Sequence, residues 1–148
     1  MSATWPGSIL YASSRTSAIS RSGRVPSQPA TRAAEQLYLA ARFDQAERWH
    51  LRLALTEEVE VWLLTWTPWQ GVEQHDHGGA IGAYTVLHGE LTETWIDRRG
   101  RTRRSVRPAG SSAFYGADRV HSVQNRGTLE AISVHAYAPP RLTAPGVT

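Results

Sequence analysis

The chain has 148 residues, a net charge of +3 and no cysteine, and all sixteen of its basic residues are arginine. That length suits one domain with a tail. Disulfides, thiolate-held zinc and a cysteine nucleophile are excluded, and no apolar run approaches the roughly 20 residues that a membrane span needs. A core region of about 100 residues buries enough surface to fold without staples. The lack of cysteine is compatible with a reducing cytoplasm, the expected location, and the arginine-only usage fits a GC-rich genome.

Residues 1–30 are rich in Ser, Arg, Ala, Pro and Gly, show no apolar period and contain no acidic residue, the first being Glu35. They read as an irregular or disordered tail. Organelle transit peptides share this composition; a secretory signal is not expected, for want of a sustained apolar stretch. From Thr31, a capping residue, Ala34, Leu37, Tyr38 and Ala41 recur at helical spacing, which predicts one helix over 31–47. A barrel is expected over about 49–141. Strands are predicted over 58–66, from His75, and over 83–87, 91–96, 103–107, 111–115, 120–123 and 129–137. Pro68 and Gly71 close the first of these, Gly89 and Arg98-Arg99-Gly100 turn the chain, and Asn125-Arg126-Gly127 forms the hairpin before the last. Pro139-Pro140 ends the series, since proline cannot donate to a ladder. Eight or so short strands with regular turns predict an all-β fold for 31–148, a small β-barrel or jelly roll carrying an N-terminal helix.

Two histidines are separated by one residue in His75-Asp76-His77. In an extended strand such side chains share a face, so one metal ion could hold both, with His121 arriving from an opposite strand. Gly78, Gly79 and Gly82 follow and permit close backbone approach. The pair alone would equally suit ordinary surface or core histidines. The implied ligand set is three neutral imidazoles with no carboxylate.

Ser133, His135 and Tyr137 form a second constellation. Their spacing places all three on one face of the last strand, with Ile132, Val134 and Ala136 on the other. A half-exposed strand has the same pattern. Alternatively the imidazole links the two hydroxyls in a hydrogen-bonded chain and fixes the tyrosine proton.

Taken in order, His75-Asp76-His77-Gly78-Gly79, Val86-Leu87-His88-Gly89-Glu90-Leu91, His121-Ser122-Val123-Gln124-Asn125 and the run from Ser133 to Pro140 resemble the cysteine dioxygenase family of thiol dioxygenases. These are cupins, and the resemblance covers about residues 49–141. It implies one ferrous iron per chain, held by His75, His77 and His121. The glutamate that many cupin sites add is replaced here by Ile81 or Gly82. Ser133, His135 and Tyr137 would stand behind the substrate, Arg52 would hold its carboxylate and His50 would assist. Gly82 stands where animal members carry a cysteine crosslinked to the tyrosine, so that crosslink is absent. The family segment W-x-P-G-Q reads Trp66-Thr67-Pro68-Trp69-Gln70.

The activity so implied is oxidation of L-cysteine to cysteine sulfinic acid with both atoms of O2, the partners being a small thiol and O2. The alternatives are 3-mercaptopropionate or another small thiol, and a metal-binding cupin without turnover that acts as sensor or store. No nucleic-acid or membrane partner is expected, and the oligomeric state stays open. The arginines between Arg98 and Arg107 read as a solvated basic hairpin, His88 as a surface residue and the tryptophans as core.

Overall fold

The computed structural model describes residues 28–141. Most of the expected tail, residues 1–27, lies outside the described residues, as do 142–148. The single described helix, α1 (Gln28–Ala40), starts earlier than Thr31 and ends well short of residue 47. Tertiary hydrogen bonds explain the early end. The Thr65 hydroxyl donates to the Arg42 carbonyl at 2.6 Å, and the Gln70 amide donates to the Asp44 carbonyl at 2.7 Å. The Asp44 carboxylate also accepts the Ala46 N–H at 2.8 Å, a local turn that competes with helix.

Nine strands follow among the described residues: β1 (His50–Leu55), β2 (Glu60–Trp66), β3 (Gly71–His75), β4 (Ile81–His88), β5 (Glu90–Ile96), β6 (Thr102–Pro108), β7 (Ser112–Tyr115), β8 (His121–Gln124) and β9 (Ala131–Ala138). They form a five-stranded sheet ordered β1-β2-β9-β4-β7 and a four-stranded sheet ordered β3-β8-β5-β6. Every pairing is antiparallel. This is the mostly β cupin barrel that the motif order implied.

The five-stranded sheet is covered on both faces. Inward, Trp62, Leu64, Trp66, Tyr84 and Val86 join the barrel core. Outward, Val61, Leu63, Ile132 and Val134 pack under Leu37 and Ala40 of α1 and under Trp49. Each such side chain contributes on the order of 1.5–3 kcal/mol when fully buried. β1 escaped sequence reading because its pattern is inverted: Leu51, Leu53 and Leu55 are exposed, while the polar His50 and Arg52 share the face of Leu64 and Trp62.

Three local features differ from expectation, and each bears on the site. His75 ends a strand rather than beginning one. Asn125-Arg126-Gly127 is no hairpin, because β8 and β9 belong to different sheets. Asn125 is instead a buried rivet between them. Its side-chain amide donates to the carbonyls of Trp66 (3.0 Å) and Leu129 (2.8 Å), and its backbone N–H bonds to Gln70. Finally, Trp69 takes a left-handed conformation with φ of 73°. A glycine there, as in the related pattern, would adopt it without the Cβ penalty.

Candidate metal centre

His75 and His121 are direct cross-strand partners on β3 and β8. A register shift between Val72 and His75 breaks the regular ladder just before this pair. His77 reaches the same point by a turn rather than by strand alternation. The Asp76 carboxylate accepts the Gly78 N–H at 2.8 Å, and Gly78 and Gly79 take φ of 59° and 88°, conformations that favour glycine. The three rings form a near-equilateral triangle with centroids 4.8–4.9 Å apart, and their ligating atoms all lie within 4.8 Å of one another. Histidine–metal bonds of about 2.0–2.1 Å hold two nitrogens no more than about 4.2 Å apart, so a shared ion requires only a small inward movement.

The donor chemistry fits a metal ion. The His75 Nδ1 faces the Glu73 carbonyl at 2.8 Å, and the His121 Nδ1 faces a Glu93 carboxylate oxygen at 2.9 Å. In each ring Nε2 is therefore the nitrogen left to ligate. Neither buried nitrogen of His77 has a partner of good hydrogen-bond geometry among the described residues. The Arg119 backbone also acts on the ring, less than burial and the neighbouring charged groups do. Buried polar nitrogens without partners are costly, and a metal ion removes that cost. Burial, reinforced by the neighbouring histidines, pushes His77 down to about 3. Burial also lowers His75. Both are thus neutral imidazoles, the ligating form, near neutral pH.

Ser133, His135 and Tyr137 face this cluster from β9, the central strand of the other sheet, and all three are buried. The half-exposed alternative does not hold. Trp66 Nε1 donates to Ser133 Oγ at 2.8 Å, Ser133 Oγ lies 2.9 Å from His135 Nε2, and His135 Nδ1 lies 3.3 Å from the Tyr137 hydroxyl. Burial holds His135 well below its ordinary value and pushes Tyr137 up to about 12. The row therefore consists of a neutral imidazole between two protonated hydroxyls. A small cavity separates the two groups, lined by His75 and His121 on one side and Trp66, His135 and Tyr137 on the other.

The other expected site residues pack on Trp62. The Arg52 guanidinium lies 5.4 Å from the Trp62 ring centroid and is exposed, and His50 meets the same tryptophan edge-on at 5.6 Å. Two different arginines act on the site. Arg48, just before β1, lies over Trp66 at 4.6 Å and acts electrostatically on His75, His135 and Tyr137. Burial lowers it to about 10, which leaves it charged. Arg141, just after β9, lies 5.7 Å from the Tyr137 ring and acts on all but His135 of the same groups and on His77. Its backbone N–H is held by Glu60 at 2.8 Å.

Sequence reading missed Arg48, Arg141, Trp66 and Tyr115. The spacing gave one signal: Arg48 keeps the parity of His50 and Arg52. Tyr115 packs within 4.6–4.7 Å of His77 and His121, centroid to centroid. Its ring lies on Gly82, where a Cβ would overlap it.

A barrel of this topology with three converging histidines defines a cupin with a place for a metal ion. A family model described as cysteine dioxygenase type I matches residues 24–145, and the chain belongs to that family. Family, fold and histidine cluster together make it a metal-dependent dioxygenase in class. Among solved structures it is similar to the protein TT1209 from Thermus thermophilus, with 23% identity, 70% of this chain and 93% of that chain covered, and a TM-score of 0.62. A double-stranded β-helix protein from Klebsiella pneumoniae matches at 21% identity over 72% of this chain and 90% of that one, with a TM-score of 0.62. An oxalate oxidase matches at 19% identity over 67% of this chain and 56% of its own, with a TM-score of 0.59. At such identities the likeness shows the fold alone. No curated protein matches the chain.

Proposed function

We propose that this protein is a cytoplasmic non-haem iron thiol dioxygenase that converts L-cysteine to cysteine sulfinic acid, both oxygen atoms of O2 ending on sulfur. The observation that carries this reading is the small cavity in which His75 and His121, two of three converging histidines, face His135 and Tyr137 of the Ser133–His135–Tyr137 row. Ferrous iron, one per chain and held by His75, His77 and His121, would supply open coordination positions for the thiolate and O2 and the redox chemistry that joins them. A ligand set without carboxylate leaves the negative charge to be brought by the substrate, which ties reactivity to its presence.

The remaining work belongs to the chain itself. Trp66 fixes the Ser133 oxygen as acceptor of the indole N–H. The Ser133 hydroxyl is then free to donate to His135 Nε2, and His135 Nδ1–H to donate to the Tyr137 oxygen. With that polarity the Tyr137 proton points to the cavity, where it hydrogen-bonds the reacting group. Burial keeps that proton on the phenol. For the carboxylate, the arginine charges acting on the site favour Arg48, assisted by Arg141, over Arg52 and His50, which stay on Trp62. A guanidinium grips a carboxylate in a planar fork.

The test is anaerobic loading with ferrous iron followed by oxygen uptake against cysteine, 3-mercaptopropionate and cysteamine. Cysteine should be oxidised fastest, with one O2 consumed per sulfinate formed. Preference for 3-mercaptopropionate would replace the substrate within the same chemistry. Iron binding without uptake on any thiol would leave only a metal-binding module.

A further inference from the structure

Glu93 lies on β5, outside every motif that pointed to the site, and is 1% exposed. One of its carboxylate oxygens faces His121 Nδ1 at 2.9 Å. The other accepts the Arg107 guanidinium at 3.0 and 3.2 Å and the Tyr84 hydroxyl at 3.2 Å. Arg107 therefore leaves the solvated hairpin to which its neighbours belong and turns inward. Tyr84 in turn stacks on His135, with centroids 4.9 Å apart and planes 11° from parallel.

A buried carboxylate costs several kcal/mol unless its partners compensate. A glutamine could fill this volume and still accept one hydrogen bond, so the charge calls for a reason. The contrast among the three histidines supplies it. The Nδ1 of His75 faces a neutral backbone carbonyl, that of His77 has no well-formed partner among the described residues, and that of His121 faces an anion. An anionic acceptor makes the opposite ring nitrogen a stronger electron donor than a carbonyl does.

We propose that Glu93 is the positioning residue for His121: it accepts the Nδ1–H, presents Nε2 to the metal ion and makes this ring the strongest donor of the three. Arg107 limits how much of that charge reaches the ring. The centre is thus neutral in its three ligands but carries one compensated negative charge a hydrogen bond away. Through Tyr84 the same carboxylate also supports the ring face of His135, so one side chain braces both halves of the site. This rests on the metal reading above and adds to it which residue tunes the metal.

The experiment compares the full chain with Glu93→Gln and Arg107→Gln, using ferrous iron as probe. Anaerobic equilibrium dialysis gives affinity and redox titration of the bound iron gives its midpoint potential, with circular dichroism to confirm folding. Glu93→Gln should bind iron about 10–100-fold more weakly, the usual cost of losing such a partner, and its potential should rise. Arg107→Gln should move the potential the opposite way, downward, because the carboxylate charge is less neutralised. Unchanged potentials, or shifts of the same sign in both variants, would overturn the proposal, since a purely structural role does not produce opposite signs. Should Glu93→Gln fail to fold, the sign in Arg107→Gln alone decides. A wild-type chain that binds no iron would instead remove the metal reading itself.

Discussion

The histidine cluster sits where the four-stranded sheet runs out into loops, whereas Ser133, His135 and Tyr137 ride on the central strand of the five-stranded sheet. The first group brings its ligating atoms within 4.8 Å of one another, and among the described residues neither buried nitrogen of His77 has a well-formed partner. The second is a row in which Trp66, Ser133 and His135 satisfy one another and hold the Tyr137 hydroxyl at its end. An unsatisfied buried cluster is finished by something that binds, while a satisfied one is a fixed surface against which the bound species is held. The contrast assigns binding to one side of the cavity and orientation to the other.

That division is broken most severely by removing a ring from the open side. His77→Ala should lose stoichiometric metal altogether, measured as metal content after anaerobic loading and desalting, because two imidazoles remain. His135→Ala should keep its metal but lose about 10–100-fold in turnover, the range expected for a supporting partner. Equal metal loss in both variants would erase the distinction between the two sides. Next in size is the carboxylate clamp. Charge-assisted bonds contribute about 1.5–3 kcal/mol, so Arg48→Ala should raise the half-saturating cysteine concentration at least about tenfold. The dependence on cysteamine should hardly move. Arg52→Ala should behave like wild type; a tenfold effect there, with none at Arg48, would return the clamp to β1.

Two smaller effects probe the seam between the sides. Gly82→Ala forces Tyr115 off the backbone that it covers and should cost about 1–3 kcal/mol of stability, as overpacking does, read from the urea midpoint. Trp69→Gly relieves a left-handed residue whose side chain is 70% exposed. Removing that strain gains about 1–2 kcal/mol, offset by up to about 1 kcal/mol for glycine's freer unfolded chain. A rise of between zero and about 2 kcal/mol is therefore expected in the same measurement.

Much of this was legible in the sequence because period and order survive folding. The alternation on β9 correctly separated Ser133, His135 and Tyr137 from Ile132, Val134 and Ala136, and the ordered motifs implied the cupin barrel. The H-x-H spacing suggests two positions of one strand, yet a turn held by Asp76 brings the second ring to the first. The outcome is the same for a different reason. Arg48 was hidden because a helix was expected to run on to residue 47, whereas bonds from Thr65 and Gln70 pull that segment onto β2. Glu93 and Arg107 were hidden because alternating charge on a hairpin has the same pattern whether it faces water or a buried imidazole. Such contacts between β5, β6 and β8 come from sheet register, which no local spacing encodes.

The central claim is that one metal ion sits between His75, His77 and His121, facing Tyr137. An anomalous-difference map from crystals grown anaerobically with ferrous iron tests it most directly. The account predicts one strong iron peak about 2.0–2.2 Å from a nitrogen of each of the three rings, on the cavity side toward Tyr137. A peak elsewhere, or none at full iron supply, would contradict it.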